Sequence, residues 1–332
     1  MKPPRSAVRP RPPPVGCASP EPPAGPIPPM TPPPIPPDPR RLVYLGTPDL
    51  AVPPLHALVD DGRDVALVVT RPDKRRGRGG DLQPSPVKAA ALELGIPVSH
   101  DVDDILAVGA ELGVVVAFGE ILQDHVLDAV PLVNLHFSLL PRWRGAAPVE
   151  RAILAGDEHT GVCLMAVVPE LDAGGVYART ECWIHPDVTL AELRDELVDL
   201  GSSLLLDALA EGFGPPVPQK GEVTYAKKIR PEEREIDWSR TVTEIHRQVR
   251  VGGAWTAFRG KRLKVHRTRT VDSPPAPAVA VGDVEHAGGE VLVGAGDGPI
   301  ALIDVQPEGK GHQGAAAWFN GAHWSAGDRL GR

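Results

Sequence analysis

Eighteen of the chain's 39 prolines fall within residues 1–40. Each removes a backbone N–H and fixes φ, so this stretch can form neither a helix interior nor a central strand. A disordered or polyproline-like extension is expected over 1–40. The folded part therefore starts near residue 41, where short apolar runs begin to alternate with helical segments. That alternation is the pattern of a parallel sheet flanked by helices, an α/β fold.

Strands are expected at 41–45, 65–70, 113–118 and 132–136, and again at 162–168 and 176–184. Ser85 followed by Pro86 signals a helix start and Gly95 a stop. A second helix is expected over 146–154. Thr189 with Glu192 forms a capping box that opens a long helix running towards Gly212. Pro215, Pro216 and Pro218 end this order, and the polar stretch that follows reads as a linker. The divisions are thus an extension 1–40, a catalytic domain 41–217, a linker 218–237 and a C-terminal domain 238–332. In the last, Thr241 and Glu244 cap a short helix. Five short runs (255–258, 262–266, 278–281, 290–293 and 300–305) then suggest a small β-barrel.

The net charge of −8 would discourage a nucleic-acid partner if it were evenly spread. It is not: residues 1–40 carry five bases against two acids, residues 41–240 carry 19 against 32, and residues 241–332 carry 11 against nine. Seven of the last 11 bases lie within 250–269, with no acid among them. A second basic cluster, Arg71, Lys74, Arg75, Arg76 and Arg78, sits in a glycine-rich loop; read from composition alone it is a solvated loop. No run reaches the roughly 18 apolar residues of a spanning helix, and the N-terminus has no apolar signal core, so a cytoplasmic protein is expected. Cys17, Cys163 and Cys182, an odd number without CxxC spacing, argue against a disulfide framework or a zinc site, and no metal is expected.

The chemistry concentrates between Val133 and Pro148. Side chains alternate faces along a strand, so Asn134 and His136, and potentially Ser138, oppose Val133, Leu135 and Phe137. They sit at the C-terminal end of a strand, where ligands bind in open α/β sheets. An amide and an imidazole side by side suit a reaction that builds negative charge on oxygen, and histidine can move a proton near neutral pH. Asp172, in a glycine-bearing loop after the 162–168 strand, is the best carboxylate to hold the ring. Such a pair on a strand is more often structural, and spacing alone supports only a candidate acyl-transfer site. There is neither a GxSxG nucleophile elbow nor a GxGxxG dinucleotide loop.

Asn134-Leu135-His136, continuing through Ser138 to Pro148, together with Leu171-Asp172-Ala173-Gly174, resembles the folate-dependent formyltransferases. Three further stretches are similar to the methionyl-tRNA formyltransferase family within that group. They are Leu45-Gly46-Thr47-Pro48-Asp49, the loop from Thr70 to Lys88, and Thr224-Tyr225-Ala226-Lys227-Lys228 with Ile236-Asp237-Trp238. The resemblance covers residues 41–330. It implies a Rossmann-like formyltransferase domain followed by a small OB-like β-barrel, and formyl transfer from 10-formyltetrahydrofolate to the α-amine of initiator methionyl-tRNA.

It further implies that Asn134, His136 and Asp172 are catalytic and that Ser138, Leu139, Leu140 and Pro141 lie against the folate. Arg71, Lys74, Arg75, Arg76 and Arg78 would enter the acceptor stem, while Arg259, Lys261, Arg262 and Lys264 would grip phosphates. No metal or membrane is implied, and a monomer is expected. Phe137 replaces a residue that is commonly small in the family, and Gly175 one that is often proline or aspartate. The stretch 251–255 is a degenerate form of the family's pattern, and the 40-residue extension has no counterpart there. Formylation of a sugar amine, or a non-catalytic binding module on the same fold, would share part of this pattern.

Overall fold

The computed structural model describes residues 32–75, 80–271, 279–325 and 327–331. The extension up to residue 31, Arg76 and Arg78 lie outside the described residues. The expected extension over 1–40 is corrected at its inner end, because residues 32–40 are laid down on the body. Ile35 packs against the main core and Pro39 is buried. The buried Arg63 donates to the Asp38 carboxylate (2.8 Å) and the Pro39 carbonyl (3.0 Å). A proline-rich segment needs no ladder of its own, so an arginine and an apolar contact suffice to hold it.

The first half is a seven-stranded sheet. Its strands are β1 (Arg41–Gly46), β2 (Asp64–Val69), β3 (Val98–Ser99), β4 (Leu112–Val116), β5 (Leu132–His136), β6 (His159–Ala166) and β7 (Val176–Trp183). Their order is β7-β6-β5-β4-β1-β2-β3. Five are parallel, but β6 runs antiparallel to β5 and β7 antiparallel to β6, so the sheet is mixed rather than wholly parallel. Residues 167–175, between β6 and β7, are too few for the crossover that a parallel pair requires. That short connection carries Asp172.

Helices α1 (Val52–Asp60), α2 (Pro86–Glu93), α3 (Pro148–Ala155) and α4 (Leu190–Glu211) cover the sheet. The sequence reading has no counterpart of α1, whose start is Val-Pro-Pro. Both prolines stand in the first turn, where their missing N–H groups would have had no helical partner. The capping box at Thr189 is formed as expected. Val133 and Leu135 on β5, and Phe137 just past its end, join the core shared with α4. Gly201 of α4 lies over them, its absent Cβ 3.7 Å from both Leu135 and Phe137, which makes room for the large Phe137 ring.

The sheet order reverses at β1, which has β2 on one side and β4 on the other, and this is where α/β sheets open a crevice at their carboxyl ends. At that end Gly46 pairs with Val116, and a Cβ on Gly46 would stand 3.2 Å from the Val116 carbonyl oxygen.

The second half holds α5 (Val242–Val251), β8 (Trp255–Phe258), β9 (Lys261–Thr270), β10 (Val284–Ala287), β11 (Glu290–Gly294), β12 (Pro299–Pro307), β13 (Gln313–Gly314) and α6 (Ala315–Gly321). Its antiparallel order is β8-β9-β12-β11-β10, with β13 on β12. The strand expected at 278–281 is instead 284–287. Ala278 lies outside the described residues, and Val281 makes only a single bridge, to Gly294. The half-barrel is drawn together by the end of the chain. The Leu330 N–H donates to Gly282 O and the Gly331 N–H to Ala257 O, each at 2.9 Å.

Two side chains of α5 tie the halves together. Arg250, in the sequence a member of the basic 250–269 cluster, is buried and donates to the carbonyls of Val188 (2.7 Å) and His185 (3.0 Å). It is a structural tie and not a phosphate contact. His246 bridges Thr268 and Asp187, at 2.9 and 3.1 Å, and its burial lowers its pKa. No helix among the described residues is long and apolar enough to cross a membrane.

Candidate active site

Strand β5 delivers Asn134 and His136 to one face, as alternation requires. Asn134 is half-buried, while His136 is only 5% exposed. The ring of His136 is held from both sides. Its Nε2 donates to the Trp143 carbonyl oxygen at 2.9 Å, and its Nδ1 lies 3.7 Å from Asp172 Oδ2. A carbonyl can only accept, so Nε2 carries the proton in the neutral ring and Nδ1 is the nitrogen turned to the carboxylate. Asp172 Oδ2 also accepts from the Gly145 N–H at 2.7 Å.

Two of these groups occupy the left-handed region of the backbone map, Trp143 at φ 64° and Asp172 at φ 50°. Non-glycine residues there cost about 1–3 kcal/mol each and collect at functional sites. Trp143 is anchored by its indole N–H on Asp157 (2.7 Å), under the Arg142 guanidinium 4.4 Å above the ring. Two residues beyond Asp172, Gly174 passes so close to β6 that a Cβ would stand 1.8 Å from the Ala166 carbonyl oxygen.

The 138–141 segment divides into inward and outward residues. Ser138 is fully buried and its hydroxyl donates to the Arg142 carbonyl (2.6 Å), which closes the turn. Leu140 packs with Cys163 and Met165, whereas Leu139 and Pro141 are partly exposed. Beside them, at the crevice, Ala117 adopts φ 47°, the Phe118 carbonyl accepts from Thr47 (3.1 Å), and the Ile121 side chain is 75% exposed. The strand expected at 113–118 ends at Val116, so Ala117 and Phe118 belong to this loop, and residues 119–121 escaped the sequence reading because a loop after a buried strand has no periodic signal.

The segment read as a linker reaches this site. Tyr225–Ala226 pairs in parallel with Arg144–Gly145, and the Thr224 hydroxyl accepts from the Trp143 N–H at 2.9 Å. Gln219 donates to the carbonyls of Asp172 (2.8 Å) and Gly174 (2.9 Å). Nothing in the sequence marks this glutamine except its place after three prolines.

The basic residues fall into distinct groups. Lys74 and Arg75 are exposed on a two-residue strand paired with Leu82–Gln83, and Arg71 is bonded to Glu120 at 2.8 Å. In the C-terminal half Lys261 and Lys264 are exposed, and Arg262 lies over the Trp255 ring at 4.1 Å. Arg259 is exposed but already engaged, donating to Asp328 and to the carbonyls of Ala322 (3.0 Å) and His323 (2.9 Å). It pins the terminal segment that draws the half-barrel together.

Residues 40–209 match the formyl transferase family, and residues 228–323 match the formyl transferase C-terminal domain. The chain is 42% identical over 311 residues to the methionyl-tRNA formyltransferase of Symbiobacterium thermophilum, covering 87% of this chain and 95% of that one. It is 41% identical over 315 residues to that of Heliobacterium modesticaldum, covering 88% and 100%. Among solved structures, the N-formyltransferase from Helicobacter canadensis, in complex with folinic acid and dTDP-3-aminofucose, superposes with TM-score 0.61 at 16% identity, over 81% of this chain and 99% of that one. That likeness concerns the fold. With matches to both domains and relatives this similar over nearly their whole length, the chain belongs to the methionyl-tRNA formyltransferase family.

Proposed function

We propose that this protein transfers the formyl group of 10-formyltetrahydrofolate to the α-amine of methionine on initiator tRNA. The observation that carries the reading is the convergence of Asn134, His136 and Asp172 at the carboxyl end of β5 in a chain of this family. Formyl transfer to an amine forms one C–N bond, breaks another, and passes through a tetrahedral carbon bearing an oxyanion. In this reading the Asn134 amide donates to that oxygen. His136 Nδ1, whose partner nitrogen is fixed on Trp143, takes up the proton shed by the attacking amine, and Asp172 stabilises the imidazolium that results. The proton then passes to N10 of the leaving tetrahydrofolate.

The 138–141 turn and the 117–121 loop line the crevice that would receive the folate. Ser138 serves by closing the turn, and Leu139 and Pro141 are the residues left to touch the ligand. For the RNA, Lys74 and Arg75 on the inserted loop and Lys261, Arg262 and Lys264 on the half-barrel offer phosphate contacts; Arg76 and Arg78 would extend the loop's set. Arginine on a loop can also reach exposed base edges.

The test is incubation of purified protein with 10-formyltetrahydrofolate and methionyl initiator or elongator tRNA, following N-formylmethionine. Product on the initiator is expected, with much less on the elongator. No product on the initiator, with formylation of a nucleotide-linked amino sugar instead, would move the chain to the sugar-amine class.

A further inference from the structure

The Asp172 loop is held from outside by a residue that no catalytic role requires. We infer that Gln219 is a positioning residue: its side-chain amide sets the turn that places the Asp172 carboxylate opposite His136. The proposal rests on the catalytic reading of Asp172 above.

All the polar capacity of that amide is directed. Nε2 donates to the carbonyls of Asp172 (2.8 Å) and Gly174 (2.9 Å). Oε1 accepts from Arg144 Nε (3.1 Å) and Nη2 (2.8 Å). Arg144 is itself buried, and its remaining arm reaches Glu170 at 3.0 Å, on the same loop as Asp172. A guanidinium can only donate and a carbonyl can only accept, so the two neighbours fix the amide's orientation without ambiguity. Only glutamine's combination of one acceptor and two donors satisfies both sides at this reach. Glutamate would keep the arginine but set a carboxylate oxygen against two carbonyl oxygens.

The clasp matters because Asp172 sits at φ 50°, a conformation that is costly for a non-glycine residue and is held by surrounding bonds. Gly174 is pressed against β6, so the turn pivots between a fixed end and the catalytic carboxylate. Gln219 bonds both ends of that pivot. The carboxylate's nearest anchor, the Gly145 N–H, lies outside the Arg144–Tyr225 ladder, where the flanking Arg144 and Ala146 N–H groups donate to Thr224 and Ala226. Gly145 N–H is therefore a local reporter of where Asp172 stands.

Amide hydrogen exchange on the full chain tests this, comparing the natural protein with Gln219→Ala and Gln219→Glu. Exchange at Gly145 should accelerate roughly tenfold or more, the scale of losing one local hydrogen bond, while amides of the C-terminal half such as Val305 stay unchanged. Unchanged exchange at Gly145 in both variants would overturn the proposal whatever the activity. In single-turnover formyl transfer, Gln219→Ala should lower the rate about tenfold with KM for both substrates unchanged, and should cost nothing further in an Asp172→Asn background. Full additivity with Asp172→Asn would count against it. If the natural chain itself makes no N-formylmethionine, the functional reading fails, and exchange at Gly145 still decides whether Gln219 positions the aspartate.

Discussion

His136 Nε2 donates to the Trp143 carbonyl oxygen at 2.9 Å, and that carbonyl is aimed by a tryptophan at φ 64°. The ring's proton is thereby assigned, and the nitrogen beside Asp172 is the one that can change protonation state. A backbone group, which mutation cannot easily remove, thus does what a second carboxylate would do in other histidine sites.

Removing either polar group on this face should damage the chemistry and spare the binding. Asn134→Ala is expected to lower the rate by about 10²–10³-fold, the loss typical of one oxyanion donor, and His136→Ala by about 10²–10⁴-fold, the loss typical of a positioned base. Filter binding of methionyl initiator tRNA should change less than about twofold, since neither side chain faces a phosphate. Near-normal turnover in His136→Ala would refute the mechanism.

Acid should loosen the segment that crosses the site. Hydrogen bonds from Arg151, 2.7 Å from Glu233 Oε1, hold the Glu233 carboxyl down at about 2 against an ordinary 4.5. A depressed folded pKa contributes stability that is complete above the unfolded value and is lost as the pH falls through the folded one. The window here is therefore about 4.5 down to about 2. Solvent screening limits the contribution to roughly 1 kcal/mol. Glu233→Gln should lower the thermal midpoint at pH 7 by a few degrees, and the difference from the natural chain should shrink as the pH approaches 3.

The basic residues of the C-terminal half should separate into two behaviours. Lys264→Ala is expected to reduce the salt dependence of tRNA binding by about one unit of log–log slope, with an unchanged melting temperature. Arg259→Ala should do the reverse, because its guanidinium, though exposed, is already engaged by Asp328 and by the carbonyls of Ala322 and His323. Slopes from binding at four or more salt concentrations, with calorimetric melting alongside, would tell the two apart.

Cys182 should be chemically silent in the folded protein. Burial, reinforced by Glu196, pushes its thiol up to about 12, so at pH 8 almost none is thiolate and alkylation has no nucleophile to act on. Peptide mapping after iodoacetamide treatment should find Cys182 unmodified until denaturant is added.

Much of the first half was legible because its signals are local. Alternation placed Asn134 and His136 together, Thr189 and Glu192 announced α4, and Ser85-Pro86 announced α2. The sign of β6 and β7 was available in principle from the nine-residue connection between them. Helix α1 was hidden by two prolines that are harmless in a first turn. What the sequence could not disclose is long-range: Gln219 meets Asp172 across 47 residues of chain, and Thr224 meets Trp143 across 81. No period or cap encodes such contacts. The same holds for Arg250 and Arg259, where a run of bases looks like one surface until burial and acceptors sort its members.

The inserted loop between β2 and α2 is knotted shut at its base. Thr70 Oγ1 and Ser85 Oγ share a buried hydrogen bond of 2.7 Å, Lys88 grips both oxygens of Asp73, and His100 Nδ1 meets the Thr70 carbonyl at 2.8 Å. Arg71, just inside these fastenings, is bonded to Glu120 at 2.8 Å; beyond it, added or lost length weighs on the fold chiefly through loop-closure entropy, which grows slowly with length. The stretch is in effect a cassette. Beyond Arg71 its length and sequence can change without retuning the crevice a few residues away, so the two are open to independent variation.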